Sequence, residues 1–129
     1  MLERHGQGPF SLLSYIYEWE VEIYDKFAEW YNSHSFPSGR ARPNAPNLRE
    51  LIRDGYGAKS EHEVRELDVL LRWYGIGCDS ESLAEIGKSY NVTGSRIQQI
   101  RIRARRILLR REKRAGKIKA KLQELGFEF

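Results

Sequence analysis

Apolar residues recur at intervals of three and four along most of this chain, the spacing of one face of an α-helix. Over residues 10–33, Leu12, Leu13, Ile16, Trp19, Ile23, Phe27 and Trp30 form such a stripe. Tyr15, Tyr17, Tyr24 and Tyr31 broaden it, and Glu18, Glu20, Glu22, Asp25 and Glu29 occupy the remaining positions. One amphipathic helix is predicted, with its aromatics packed on the body of the protein. Its acidic flank is a candidate partner face. The pattern then breaks. Pro37, Gly39, Pro43 and Pro46 cannot continue a helix, so 35–47 reads as a linker or an extended arm.

Helical spacing resumes at Asn47, a candidate cap for the short helix LRELIRDG, which Gly55 or Gly57 ends. Ser60 and Glu63 make a capping-box pattern before a helix with Val64, Leu67, Leu70, Leu71 and Tyr74 on one side, stopped by Gly75 and Gly77. Ser82 and Glu85 repeat the box before LAEIGKSY, whose apolar positions are Leu83, Ile86 and Tyr90. Thr93 caps a last long helix that runs to about Gly116, and KIKAKLQEL follows it. The predicted fold class is all-α. Three segments are expected: an aromatic and acidic helix in 1–34, a Pro-rich basic arm in 35–47, and a domain in 48–129 with a basic C-terminal helix.

Helix, three-residue turn and helix is the order in which a second helix is held out for the DNA major groove. In the last helix, Ile97, Ile100, Ala104, Ile107 and Leu108 share one sector and give it a buried side. The opposite sector carries Ser95, Gln99, Ile102 and Arg106, flanked by Gln98 and Arg103, and these six are the candidate base readers. Gln suits adenine, Arg suits guanine, and an exposed Ile suits a thymine methyl. Thr93, Arg96, Arg101, Arg105, Arg110, Arg111, Lys113, Arg114 and Lys88 are candidate backbone contacts, which set affinity and register. Arg40 and Arg42 in the arm are candidates for a minor groove.

Charge sharpens this picture. The net charge of +4 divides into −5 over residues 1–95 and +9 over 96–129. The basic end favours a polyanion, and the acidic part favours protein. RNA, acidic protein and membrane headgroups are the other ligands that an Arg-rich helix can take. One cysteine excludes an internal disulfide, and three scattered histidines offer no zinc spacing with it. Neither a metal nor any other cofactor is expected. No nucleophile triad, phosphate loop or acidic metal cluster stands out, so an enzyme is not expected. No apolar run approaches a membrane span, and Met1-Leu2-Glu3-Arg4 leads into no signal core. A cytoplasmic location is expected.

The stretch ELDVLLRWYGIG followed by SLAEIGKSYNVTGSRIQQIRIRARRIL resembles region four of the sigma-70 family. Leu67, Leu70 and Gly75 match the family's first element; Ser82, Leu83, Glu85, Ile86, Gly87 and Lys88 match the second. Val92, Thr93, Arg96, Ile97, Gln99, Ile100, Ala104, Arg106 and Leu108 match the recognition helix. The resemblance covers residues 64–110. It implies a helix-turn-helix, contact with double-stranded promoter DNA, and contact with RNA polymerase through the β flap, carried over to Leu71, Trp73 and Tyr74, with the sigma factor as a further contact. Gly94-Ser95 stands where the family has a charged pair, and Gln98, Arg101 and Arg105 replace its common Arg, Glu and Leu, which implies a different target sequence.

No room remains in 129 residues for the other modules of a full sigma factor. The order LERHG, aromatic helix, RARPN arm and helix-turn-helix is similar to phage late-gene regulators and antiterminators of the Q type. The expected function is a DNA-binding transcription regulator acting on RNA polymerase. Antitermination at a paused polymerase is the nearest alternative. A sigma mimic that occupies the flap without reading DNA is the alternative from another class. Leu122, Leu125 and Phe127 in the tail either extend the core or pair two chains as a homodimer.

Overall fold

A computed structural model describes residues 7–33 and 47–129, so Arg40, Arg42 and the arm before Asn47 lie outside the described residues. The described residues form seven α-helices and no strand, as the apolar spacing predicts. They are α1 (Ser11–Tyr17), α2 (Val21–Ser33), α3 (Leu48–Tyr56), α4 (Glu61–Tyr74), α5 (Leu83–Tyr90), α6 (Gly94–Ala115) and α7 (Lys117–Glu124).

The predicted aromatic helix is two helices. Glu18 takes the left-handed conformation (φ 52°) and ends α1, its N–H donating to the Ser14 carbonyl. The turn places the Trp19 ring in the core at 2% exposure. A non-glycine residue in this region of backbone space is uncommon, and no Gly or Pro marks the break. Burial of a large indole offsets the local cost. Beyond the break, Phe27 inserts fully while Glu20, Glu22, Asp25 and Glu29 face solvent.

Caps set the other boundaries. Side-chain oxygens of Asn47, Ser60, Ser82 and Thr93 accept from the backbone N–H three residues on, at α3, α4, α5 and α6 respectively. The Ser82–Glu85 box is reciprocal. Glu63 differs: its carboxylate takes the Lys59 N–H at 3.0 Å, one residue earlier than the box pattern. Gly57, and not Gly55, supplies the left-handed cap of α3. Val64, predicted on the buried side of α4, is 57% exposed.

Two apolar cores meet along α6. Its C-terminal half contributes Ala104 and Leu108 to a core shared with Leu12, Leu13, Phe27, Ile52, Leu70, Ile118 and Leu122. Its N-terminal half contributes Ile97 to a smaller core with Val69 and Ile86, flanked by Leu83, Tyr90 and Ile100. Helices α1 and α2 thus share their interior with the C-terminal region. The tail does the same. Leu122 and Phe127 are buried, and the Phe127 ring meets Phe27 edge-on at 5.1 Å between centroids, so the tail's apolar residues extend the core.

Polar links hold the elements in place. Arg72 on α4 grips Glu81 with two bonds of 2.7 and 2.8 Å and reaches Ser89 on α5 at 2.8 Å. Tyr90 donates to Asp68, and burial, followed by this bond, pushes its hydroxyl pKa up to about 12. At the other end, the buried Glu112 carboxylate accepts from Tyr17 Oη at 2.7 Å and from the backbone N–H groups of Ile118 and Lys119 at 3.0 Å each. A carboxylate at a helix N-terminus is favoured by the unpaired amides there. With the left-handed turn at Gly116, the link sets the start of α7, which packs against α3.

Candidate nucleic-acid interface

The position of α6 follows from its connection to α5. Asn91 ends α5 in the left-handed conformation and Val92 N–H donates to the Gly87 carbonyl at 2.9 Å, so residues 91–93 reverse the chain within three positions. Gly87 makes this closure feasible. A Cβ there would stand 2.6 Å from the Val92 carbonyl oxygen, a backbone atom that cannot swing aside. The turn starts a helix of 22 residues, roughly 33 Å long.

The outward side of α6 carries Ser95, Arg96, Gln99, Arg103, Arg106, Arg110, Lys113 and Arg114, all exposed. Gln99, half-buried Ile102, Arg103, Arg106 and Arg110 line one open hollow of about 380 Å³. Arg103, Ile107, Arg110, Arg111 and Arg114 line a second of about 320 Å³. The structure therefore brings four of the six expected base readers, Gln99, Ile102, Arg103 and Arg106, to one hollow, with Ser95 exposed on the same side. Arg96 lies beside them, its Nη1 donating to Gln99 Oε1 at 3.2 Å. Lys88 and Thr93 are exposed at the α5 end, with the Thr93 hydroxyl committed to its cap.

Three expected contacts turn inward. Arg101 is 7% exposed, its guanidinium 4.1 Å from the Trp73 ring centroid and its Nε and Nη2 donating to Gln98 Oε1 at 3.1 and 2.9 Å. Burial, and secondarily the neighbouring Arg105, lowers its pKa. It is a packing cation and not a phosphate contact. Half-buried Gln98 is occupied at Oε1 as its acceptor. Arg105 lies 4.1 Å over the Tyr15 ring and donates to Tyr74 Oη at 3.4 Å, so it too faces the interior. The physical reason is common to both: a guanidinium is planar and weakly hydrated, and it packs on aromatic faces that an ammonium would leave.

Arg111 is a partial case. It is bound to Glu63 through two contacts of 2.9 and 3.2 Å and to the Tyr56 carbonyl at 2.6 Å, which anchors α6 to α4 and α3. The positions carried over for polymerase contact also turn in. Leu71 and Tyr74 are 3% and 0% exposed, and half-buried Trp73 is covered by Arg101, so these three build the core where α4 meets α6.

Two charged residues beneath this surface carry a sequence signal as internal partners. Glu66 and Arg101 both fall on buried stripes, Glu66 four residues before Leu70 and Arg101 four after Ile97. Charge on the inner face of an amphipathic helix marks a residue paired within the fold. Comparison of the chain with protein families, with curated proteins and with solved structures returned no match. Among the described residues, no helix is long and apolar enough to cross a membrane.

Proposed function

We propose that α5, the turn at 91–93 and α6 form a helix-turn-helix that reads double-stranded DNA, and that the protein is a transcription regulator of the sigma region-four type. The observation that carries the reading is the shared outward surface of Gln99, Ile102, Arg103 and Arg106 on a helix whose other side is fixed by two cores. Such a surface offers bidentate donors and an apolar contact on a rigid element, which are the groups that distinguish base pairs in a major groove. The groove is about 12 Å wide and a helix with its side chains about 10–12 Å across, so α6 fits it. Arg110, Lys113 and Arg114 then pass over the phosphate backbone and supply affinity and salt dependence.

The acidic side of α2 is the surface left for RNA polymerase, because Leu71 and Tyr74 are enclosed. Exposed Glu22, Asp25 and Glu29 would be repelled by phosphate and are compatible with a basic protein surface. Selection from a randomised duplex library at near-physiological salt tests the reading. A motif of a few bases that disappears with Gln99→Ala supports a DNA reader. Retention of duplex without any motif, or no retention, contradicts it and moves the search to polymerase subunits.

A further inference from the structure

Among the polar residues beneath the interface, Glu66 is the one the fold least requires. It lies on α4 at 2% exposure, and its Oε1 has no hydrogen-bond partner among the described residues. His62 Nε2 stands 3.8 Å away. A buried carboxylate with one oxygen unmet costs stability that an apolar side chain would not. Buried polar groups left partly unsatisfied call for a reason outside packing.

Its other oxygen supplies that reason. Oε2 is 3.1 Å from Arg103 Nε, and the pair is unequal: the carboxylate side chain is 3% exposed and the arginine side chain 67%. One end is fixed in the interior and the other stands in the hollow that Gln99, Ile102 and Arg106 share. An unheld arginine on a helix surface samples many rotamers and follows the nearest phosphate. Arg103 is instead restrained at Nε by this ion pair, and no hydrogen bond to its guanidinium is found among the described residues.

We propose that Glu66 is a positioning residue for base recognition, which holds the Arg103 guanidinium at Nε and sets the direction from which it meets a guanine edge. The inference rests on the duplex-reading proposal above. The buried negative charge offsets the local positive field, which weakens the pull toward phosphate and leaves geometry to choose the contact. Arginine then recognises O6 and N7 of guanine through paired donors.

The experiment is duplex-library selection with the wild type, Glu66→Gln, Glu66→Asp and Arg103→Lys, each checked for folding by thermal unfolding. Wild type should prefer guanine at one position. Each variant should flatten that position by roughly tenfold and leave the positions that depend on Gln99 unchanged. Glu66→Gln in the Arg103→Lys background should add nothing further. Glu66→Asp keeps the charge and withdraws it by one methylene, so it tests position if the amide variant fails to fold. An unchanged motif in both Glu66 variants, or a uniform loss across all positions, overturns the inference while the duplex-reading proposal stands. A wild type that selects no motif overturns both.

Discussion

The two sides of α6 carry the same residue types and put them to opposite use. On the inner side, Arg101 and Arg105 lie on the rings of Trp73 and Tyr15, each 4.1 Å from a centroid. On the outer side, Arg103, Arg106 and Arg110 line a hollow with Gln99 and Ile102. The inner pair welds α6 to α4 and α1. The outer set, held steady by that weld, faces solvent. Arginine content alone therefore overstates the ligand surface of a helix, and what each guanidinium packs against decides its role.

Glu112→Ala leaves three donors without their acceptor, and a loss of about 3 kcal/mol in unfolding free energy is expected, with release of α7. Denaturant unfolding measures the loss, and amide hydrogen exchange at Ile118 and Lys119 locates it. Gly87→Ala comes next, at about 2 kcal/mol, because the new Cβ meets the Val92 carbonyl and displaces α6 relative to α5. Duplex affinity should fall with it, since the outer face is aimed by this turn. Unaltered binding by a destabilised Gly87→Ala would separate the turn from the interface.

The outer side should respond in the reverse way. Arg106→Ala is expected to cost about 1.5 kcal/mol of base discrimination while thermal unfolding barely changes, as befits an exposed side chain. A competition assay between the selected motif and single-base variants measures it. Loss of fold stability without loss of discrimination would place Arg106 with the inner arginines.

The smallest expected effect is on pH dependence. Arg111 holds the Glu63 carboxyl below its usual range, Arg72 does so for Glu81, and the Ser82 backbone N–H does so for Glu85. A depressed folded value means that each contribution is present above the ordinary carboxylate value of about 4.3 and is lost as pH falls through the folded value. Melting temperature should therefore be level near neutrality and decline in acid. Glu81→Gln should make that decline shallower, and an unchanged acid limb would remove Glu81 from the account.

Much of this architecture was legible because the helix boundaries are written in local chemistry. Asn47, Ser60, Ser82 and Thr93 each cap the helix the pattern assigns to them. The outward set around Gln99 and Arg106 follows from periodicity, since it lies opposite the stripe of Ile97, Ala104 and Leu108. The break at Glu18 had no such signal. Glutamate is not a turn residue, and the burial of Trp19 that favours the left-handed backbone is a tertiary effect. Arg101 and Arg105 escaped for a related reason. Their inward aromatic partners come from α4 and α1, far off in sequence, so spacing marked their sector while composition suggested phosphate. Leu71 and Tyr74 were assigned outward by resemblance, and their own apolar spacing had already placed them on the buried side of α4.

The most direct test of the central claim is the salt dependence of duplex binding by wild type, Arg110→Ala and Arg101→Met. Arg110→Ala should lower the slope of log K against log salt by about one, as loss of one phosphate contact does. Arg101→Met, which replaces a buried cation by an apolar chain, should leave the slope unchanged. Equal reduction in both variants, or no duplex binding by the wild type, would contradict the division of α6 into a structural side and a reading side.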